Sequence, residues 1–343
     1  KRVFVFDDEI VQPYTPPADY YSTDTWTDWA LELLEDGRDS DKPFCLYVSY
    51  QAPHDPLQAH EKDIAKYQGK YDVGYEAIAR ARYQRQQQLG LFDGRYPRSE
   101  PTHRPWDQLS PAKQADEARR MEVYAAMIDS MDQNIGRLVA KIESMGELDN
   151  TLILFMADNG ASAEVVERGN GAIGAMDRWA SLKKDWANVA NTPFRRFKND
   201  TYAGGTCTPF IAHWPAVIRE GGKIDHTPAH FIDLMPTFIE IAGAEYPATY
   251  RGDPLPQLAG MSLLPLLRGD EIQRENPIYF EWAKGQGLIT DAWKLVRHGK
   301  GRWELYDRTS DLTETRDLAT KHPDTVRKLS ALHQAWLDRD GAP

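Results

Sequence analysis

The chain has 343 residues, of which 41% are hydrophobic and 11% are aromatic, and its formal net charge is −11. This composition supports a large folded core and argues against extensive disorder, and the length suggests roughly two domains or one large domain with an appendage. The negative charge argues against a nucleic-acid partner or an anionic membrane surface, although a local basic pocket could still bind an anionic substrate. No apolar run reaches about 18 residues, so no membrane span is predicted.

The first strong strand signal is KPFCLYVSY, residues 42–50, which is bounded by proline and rich in aromatic and β-branched residues. It leads into the loop QAPHDPLQ, which carries His54 between two prolines. The following segment, 67–106, is rich in Pro, Gly and charge, and we predict a surface excursion over one face of the domain. Neither Cys45 nor Cys207 has a CxxC or zinc spacing, and both are predicted to be buried free thiols.

The next element is a strong predicted helix, which begins with Ser110 as N-cap and Pro111 at its first position. Apolar residues follow at helical spacing, and Gly146 is a plausible C-cap. These apolar residues are Met121, Tyr124, Ile128, Met131, Ile135, Leu138, Val139 and Ile142. The apolar run LILFMA, 152–157, then predicts a second strand. Strand, helix and strand together predict a βαβ unit with parallel strands and a right-handed crossover.

The predicted topology brings polar residues together. In a parallel sheet, ligands bind at the carboxyl ends of the strands, so His54 and the pair Asp158 and Asn159 should lie at the same edge. The sequence Asp-Asn-Gly is also a common turn signal. A carboxylate at the end of a buried strand is nevertheless costly unless it is paired or metal-bound.

A third loop, 192–205, carries Arg195, Arg196 and Lys198 to a Gly-Gly turn, where glycine would permit unusual backbone angles or close approach to a ligand. An apolar strand is predicted within 206–215, and an amphipathic helix is predicted over 228–244, closed by Gly243.

From about residue 276 the pattern changes to short strands with tight turns, and the chain closes with a predicted helix over 322–339. We therefore predict two domains, 1–275 and 276–343, the second being a small antiparallel sheet plus helix.

At this point the chain resembles a known family, the sulfatases of the alkaline-phosphatase superfamily, and in particular bacterial arylsulfatases of the Pseudomonas type. The stretches that carry the resemblance extend over nearly the whole chain, and they include YYSTDTWTDWA, APHDPLQA, RRMEVYAAMIDSMDQNIGRL, ADNGAS, NTPFRRFKNDTYAGG, TPFIAHWP, HFIDLMPT and WELYD. The resemblance implies an α/β fold, with an alkaline-phosphatase-like sheet flanked by helices and incomplete at its N-terminal side, plus a small C-terminal α+β subdomain.

The resemblance also implies a reaction, the hydrolysis of a sulfate monoester with a divalent cation, usually Ca²⁺, with Mg²⁺ as the alternative. His54 matches the histidine that contacts the ester oxygen and assists protonation of the leaving group. Asp158 and Asn159 match two metal ligands, and Lys198 matches the lysine that holds the sulfate and the nucleophile. In this family the nucleophile is a formylglycine made from Cys or Ser in a C/S-x-P/A-x-R motif.

The chain departs from the family in one respect, because it contains no C/S-x-P/A-x-R motif. Cys45 is followed by LYVS and Cys207 by TPFI, so neither fits. Asp7 and Asp8 superficially resemble the family's N-terminal metal pair, but no nucleophile motif follows them, and we predict a solvated turn. The chain is therefore expected to be the C-terminal portion of a sulfatase and inactive alone, with a missing N-terminal portion or a second chain completing the site.

Two other functions stay open at this stage. One is a phosphodiesterase or phosphonate monoester hydrolase of the same superfamily, and the other is a non-catalytic remnant used for binding. Without the resemblance, His54 would be read as a turn histidine and Lys198 as part of a solvated basic loop. The sequence leaves the natural ester, the oligomeric state and the compartment open, whether cytoplasmic, periplasmic or secreted in a bacterium.

Overall fold

The computed structural model describes residues 3–38, 40–92 and 96–339, and it alternates helices with short strands. The helices are α1 (Ser22–Asp36), α2 (Glu61–Ile64), α3 (Tyr75–Gln88), α4 (Pro111–Ser144), α5 (Lys183–Ala190), α6 (Ala203–Thr206), α7 (Leu234–Ile241), α8 (Leu264–Arg268) and α9 (Pro323–Leu337). The strands are β1 (Phe4–Phe6), β2 (Glu9–Val11), β3 (Ile153–Met156), β4 (Glu167–Arg168), β5 (Trp179–Ala180), β6 (Phe210–His213), β7 (Thr249–Tyr250), β8 (Asp253–Pro254), β9 (Ile278–Trp282), β10 (Gly285–Ile289), β11 (Trp293–His298) and β12 (Glu304–Asp307).

The long helix α4 forms the centre of the larger part of the chain. It starts as the sequence predicts, because the Ser110 side chain accepts a hydrogen bond from the Lys113 backbone N–H. It ends just before Gly146, whose φ of +76° is the left-handed conformation that favours glycine after a helix. Its apolar face packs against α1, α2 and the segments around β3 and β5.

The prediction of a strand at 42–50 is wrong for the described residues, because this segment has no hydrogen-bonded neighbour strand. It keeps the alternation of a strand, with Leu46 and Val48 packed inward and Tyr47 88% exposed. The prediction of parallel strands is wrong for the same reason, since β3 pairs only with β6 and that pair is antiparallel. Side-chain packing holds the segment extended, but a strand also needs a partner for its backbone groups.

The segment 67–106 is not a surface excursion throughout, which corrects the prediction. It contains α3, whose Tyr75 is fully buried, and the rings of Trp106 and Trp186 lie 4.8 and 4.7 Å from the Tyr75 ring. The high Pro and charge content of the segment concealed this aromatic cluster. Burial of the aromatic rings favours a position in the core more strongly than the neighbouring polar residues disfavour it. Residues 93–95 of the segment lie outside the described residues.

The C-terminal part forms the predicted antiparallel sheet, with strand order β12-β11-β10-β9, and the predicted helix α9 covers it. Leu329 of α9 packs with buried leucines of the sheet, namely Leu288, Leu295 and Leu305. Ion pairs connect the sheet to the loop before α6. The sheet therefore helps to fix the position of Lys198, which lies on that loop. The described structure does not test the boundary at residue 276.

Three smaller predictions are decided by the structure. Asp7 and Asp8 form the exposed turn between β1 and β2, as predicted. The predicted helix at 228–244 exists, but its α-helical part is only α7, preceded by a short 3-10 turn. The prediction of buried thiols is wrong, because Cys45 and Cys207 are both exposed. Among the described helices, none is long and apolar enough to cross a membrane.

Candidate active site beyond the carboxyl end of β3

The loop that carries His54 is fixed by its own downstream residues. The His54 backbone N–H donates to the Gln51 carbonyl at 2.9 Å, and the Leu57 N–H donates to Ala180 of β5 at 2.9 Å. The Gln58 side chain donates to three carbonyls between residues 175 and 178, at 3.1 to 3.3 Å. Leu57 is fully buried in the main core, so the two prolines and these bonds present His54 from a rigid base.

The structure brings His54 and Lys198 into direct contact. The distance from Lys198 Nζ to His54 Nε2 is 2.9 Å, across 144 residues of sequence. The other imidazole nitrogen, Nδ1, lies 3.0 Å from Asp55 Oδ1. Glu164 also lies near this pair, with Oε1 3.7 Å from Lys198 Nζ. The two residues that were expected to serve one site are therefore neighbours.

Asp55 is a buried carboxylate, with a side chain only 3% exposed. Its Oδ2 accepts hydrogen bonds from Trp179 Nε1 at 2.7 Å and from Ser181 Oγ at 3.0 Å. Both donors lie on or just after β5, the strand that also anchors Leu57. Charge-assisted hydrogen bonds of this kind offset the cost of burying a carboxylate.

Lys198 is not part of a solvated basic loop, because its side chain is only 21% exposed. Its two arginine neighbours are engaged elsewhere: Arg195 pairs with Glu304 at 2.8 Å and Arg196 pairs with Asp200 at 2.9 Å. Burial alone would raise the pKa of Glu304, but hydrogen bonds from Tyr202, Tyr306 and Arg195 lower it below its ordinary value. Lys198 is thus the cation of this loop that faces His54.

Asn191 clamps the Lys198 loop to the loop after β3. Its side-chain N–H groups donate to the carbonyls of Arg196 at 3.0 Å and Gly204 at 2.9 Å, and its oxygen accepts from the Ala161 N–H at 3.0 Å. The Lys198 N–H also donates to the Ala161 carbonyl at 3.0 Å. The two loops therefore form one rigid unit.

The glycines of this unit serve backbone packing. A Cβ on Gly160 would lie 1.7 Å from the Gly204 carbonyl oxygen, and one on Gly204 would lie 2.1 Å from the Arg196 carbonyl oxygen. The expectation that the Gly-Gly pair approaches a ligand is therefore corrected, because the chain's own carbonyls fill that space.

Asp158 and Asn159 lie in the same loop, directly before Gly160, and line the same large cavity as His54. Asp158 is exposed and Asn159 is half-buried. Within the parts of the chain that the structure describes, neither side chain has a hydrogen-bond or ion-pair partner. His54 and Lys198, in contrast, each contact polar side chains of this chain.

The loop after β3 offers possible ligands for a divalent cation. Asp158 and Asn159 carry hard oxygen atoms of the kind that Ca²⁺ prefers, and these oxygens have no partner among the described residues. Calcium takes about six to eight ligands, so the two residues fit the ion but do not complete its shell. A second cluster, formed by His54, Asp55 and Glu164, brings ligand atoms within 4.8 Å of one another. The Lys198 ammonium group lies beside this cluster and balances its negative charge. The cluster therefore does not need a metal ion for that purpose.

Sequence reasoning missed three residues of this site: Asp55, Glu164 and Asn191. Asp55 stands directly beside His54 in the loop HDP, which is the one signal that was available. Glu164 and Asn191 carry no local motif, because their roles depend on contacts between three loops that the sequence does not place together.

Solved structures with similar folds define the class of this protein. The crystal structure of Ps i-CgsB in complex with k-i-k-neocarrahexaose superposes with a TM-score of 0.65 at 22% identity, covering 96% of this chain and 57% of that chain. The phosphonate monoester hydrolase of Silicibacter pomeroyi superposes with a TM-score of 0.56 at 20% identity, covering 92% of this chain and 60% of that one. The fold is the alkaline-phosphatase-like α/β fold, with the C-terminal subdomain present.

The sequence comparisons then give the family. The sulfatase family profile matches residues 4–244, and a profile described as N-sulphoglucosamine sulphohydrolase, C-terminal, matches 196–337. The chain belongs to the sulfatase family.

Two relatives illustrate the extent of the match. An uncharacterized sulfatase of Schizosaccharomyces pombe is 30% identical over 349 residues, covering 93% of this chain and 61% of the relative. An arylsulfatase of Klebsiella aerogenes is 31% identical over 263 residues, covering 72% of this chain and 56% of the relative. The chain therefore spans less than two thirds of the length of these relatives.

Proposed function

We propose that this chain supplies part of the active site of an arylsulfatase-like enzyme that hydrolyses a sulfate monoester. The observation that supports this most strongly is the 2.9 Å contact between Lys198 Nζ and His54 Nε2, on loops that share a cavity with Asp158 and Asn159. A cation, a proton carrier and two oxygen ligands are the groups that this reaction needs.

Each residue has a distinct role in the proposal. Lys198 binds a sulfate oxygen through its ammonium group, while Asn191 and the Ala161 carbonyl hold the backbone of its loop. His54 protonates the leaving oxygen as the S–O bond breaks. Asp158 and Asn159 would hold a Ca²⁺ ion, or Mg²⁺ as the alternative, and the bound cation would stabilise the negative charge of the sulfate in the transition state.

The remaining groups are proposed to come from outside this chain. The chain has no C/S-x-P/A-x-R motif for a formylglycine nucleophile, and Asp158 and Asn159 cannot fill a calcium shell alone. An N-terminal portion, or a second chain, would supply the nucleophile and the other ligands. The segment 43–50 lines the cavity, and among the described residues it has no neighbour strand, so it could pair with such a neighbour.

The substrate is proposed to be a sulfate ester of a phenol or a carbohydrate. The Klebsiella relative is named as an arylsulfatase, and the Ps i-CgsB structure contains a neocarrahexaose. A phosphonate monoester hydrolase is the second candidate, since two such enzymes share the fold.

The test compares three esters of one leaving group. The protein, joined to whatever its gene encodes upstream of Lys1, is assayed in Ca²⁺ with 4-nitrophenyl sulfate, 4-nitrophenyl phosphate and 4-nitrophenyl phenylphosphonate. The proposal predicts the highest kcat/KM for the sulfate ester. A higher kcat/KM for the phosphonate would favour the second candidate. No turnover of any ester, together with no binding of Ca²⁺, would indicate a non-catalytic remnant.

A further inference from the structure

We propose that Asp55 is a positioning residue that holds His54 in the tautomer with the proton on Nδ1, so that Nε2 faces Lys198 and the reacting oxygen. The inference deepens the proposed function, because it takes His54 as the group that protonates the leaving oxygen. Asp55 itself would not touch the substrate.

The tautomer follows from the two contacts of the imidazole. The ammonium group of Lys198 is a donor only, so at 2.9 Å it requires an unprotonated Nε2 as acceptor. A neutral imidazole then carries its single proton on Nδ1, where Asp55 Oδ1 lies at 3.0 Å and the Asp55 carbonyl also lies at 3.0 Å. Both contacts demand the same tautomer.

The setting of Asp55 fits a residue held for this purpose. Its Oδ2 is taken by Trp179 Nε1 and Ser181 Oγ, while Oδ1 is buried and has no hydrogen-bond partner beyond the close approach of His54 among the described residues. A carboxylate that merely formed part of a turn would gain more from water than from burial. Here β5 fixes one oxygen and thereby directs the other at the imidazole.

Other charged groups around the imidazole are compatible with this arrangement. Glu164 lies beside Lys198, with its Oε1 3.7 Å from the ammonium nitrogen, and its carboxylate lies within 4.8 Å of ligand atoms of His54 and Asp55. The Asp55 carboxylate lies at Nδ1. The orientation of the ring is thus set by Asp55 at Nδ1, through its backbone carbonyl and its carboxylate, and by the Lys198 ammonium group at Nε2.

The position of Asp55 also suits the doubly protonated imidazole that the reaction requires. Once Lys198 binds a sulfate oxygen, Nε2 is released and takes a proton from solvent water. When the S–O bond breaks, the leaving oxygen keeps the bonding electron pair and takes that Nε2 proton from the imidazolium. His54 then returns to the neutral form with its proton on Nδ1, bonded to Asp55. A carboxylate at Nδ1 stabilises the imidazolium and leaves the tautomer correct after the transfer.

The first experiment measures the tautomer directly, without any substrate. Long-range ¹H–¹⁵N spectra of the ¹⁵N-labelled chain, with His54→Gln to assign the resonances, should show His54 protonated on Nδ1 at a pH where the ring is neutral. In Asp55→Asn the amide can turn its oxygen to Trp179 and Ser181 and its NH₂ to Nδ1. The fraction of His54 with the proton on Nδ1 should then fall, although the Asp55 backbone carbonyl and the Lys198 ammonium group still favour that tautomer.

Matched variants keep this result interpretable. His60 Nε2 lies 2.8 Å from Asp24, so Asp24→Asn removes a comparable carboxylate elsewhere and should leave the His54 signals unchanged. Trp179→Phe removes only one donor to Asp55 and should give a partial mixture of tautomers, which serves if Asp55→Asn does not fold. An Nε2–H tautomer in the unsubstituted chain, or an unchanged pattern in a folded Asp55→Asn, would overturn the proposal.

The second experiment uses the dependence on the leaving group. In the protein joined to its upstream residues, Asp55→Asn should lower kcat/KM for phenyl sulfate by about tenfold or more, because phenolate needs the proton. The loss for 4-nitrophenyl sulfate should be smaller, because nitrophenolate leaves without it. Equal losses for both esters would assign Asp55 a merely structural role. If neither ester is hydrolysed by the unsubstituted protein, the proposed function fails, while the tautomer measurement still decides the role of Asp55.

Discussion

The candidate site has two halves, which differ in how many contacts their side chains make with the rest of this chain. His54 and Lys198 contact each other, and Asp55, Glu164 and the Asn191 clamp surround them with partners. Asp158 and Asn159 lie on the same rigid loop unit but have no side-chain partner among the described residues. The first half is positioned by this chain, whereas the proposed function completes the second half with groups from outside it.

This difference has a physical cause. The Asp55 carboxylate is buried and the Lys198 ammonium group is only 21% exposed, so both need partners within the fold, because unpaired charges in a poorly hydrated site are costly. The His54 imidazole contacts both of them and is itself 45% exposed. An exposed carboxylate and a half-buried amide can remain hydrated until a cation binds. The first half should therefore respond to substitution mainly through turnover, and the second half mainly through metal affinity.

The largest expected effect is the loss of the Lys198 ammonium group. Lys198→Ala should reduce kcat for a sulfate ester by about 10²- to 10³-fold, since it removes one stabilising donor from the transition state. Lys62→Ala, at an exposed position of α2, is the matched control and should change kcat little. An unchanged kcat in Lys198→Ala would show that the Lys198 ammonium group takes no part in the reaction.

The next effect tests the rigid unit that joins the halves. Gly160→Ala should lower the free energy of unfolding by about 1–3 kcal/mol, because its Cβ would lie 1.7 Å from the Gly204 carbonyl oxygen. Gly136→Ala in α4 has no atom within 4 Å of the added Cβ and should raise stability by about 0.4–1 kcal/mol. Urea unfolding of both variants would show whether the two substitutions have opposite signs, and equal signs would contradict the described backbone packing.

The second half is tested by metal affinity. Asp158→Asn should weaken Ca²⁺ binding at least about tenfold, since even outer-shell substitutions produce losses of that size. Asp149→Asn, an exposed residue before the start of β3, is the control and should leave the affinity unchanged. Calorimetric titration of the protein joined to its upstream residues gives both values, and equal affinities for the two variants would remove Asp158 from the metal site.

The smallest effect concerns pH and the C-terminal sheet, away from the site. Burial lowers the pKa of His333 below its ordinary value of 6.5. The unfolded chain therefore binds the proton more tightly, so the contribution to stability is complete above about pH 6.5 and is lost as the pH falls through the folded pKa. Between pH 7.5 and 5.5, the free energy of unfolding of His333→Gln, measured in urea, should fall by less than that of the unsubstituted protein. Identical losses would show that His333 does not titrate differently on folding.

Much of the fold was predictable from local patterns. The start of α4, strand β3, the antiparallel C-terminal sheet and α9 depend on capping residues and on hydrophobic periodicity, which are visible in the sequence. The pairing of β3 with β6 and the absence of a partner for residues 42–50 were not predictable, because pairing depends on distant segments. The buried Tyr75 cluster was missed because three separate segments form it.

The site was predictable only in part for the same reason. The resemblance to sulfatases led to His54 and Lys198, which the structure places in contact, and to Asp158 and Asn159, whose proposed metal role remains a prediction. Asp55, Glu164 and Asn191 act through hydrogen bonds and ion pairs between loops. No pattern within a single loop indicates such contacts.

The most direct test of the account is the turnover of 4-nitrophenyl sulfate in Ca²⁺ by two forms of the protein. One form is the 343-residue chain alone, and the other is the chain joined to any polypeptide that its gene encodes upstream of Lys1. The account predicts turnover only for the joined form, with loss of turnover in Lys198→Ala. Turnover by the chain alone at the rate of the joined form would contradict it, because the chain would then contain a complete site.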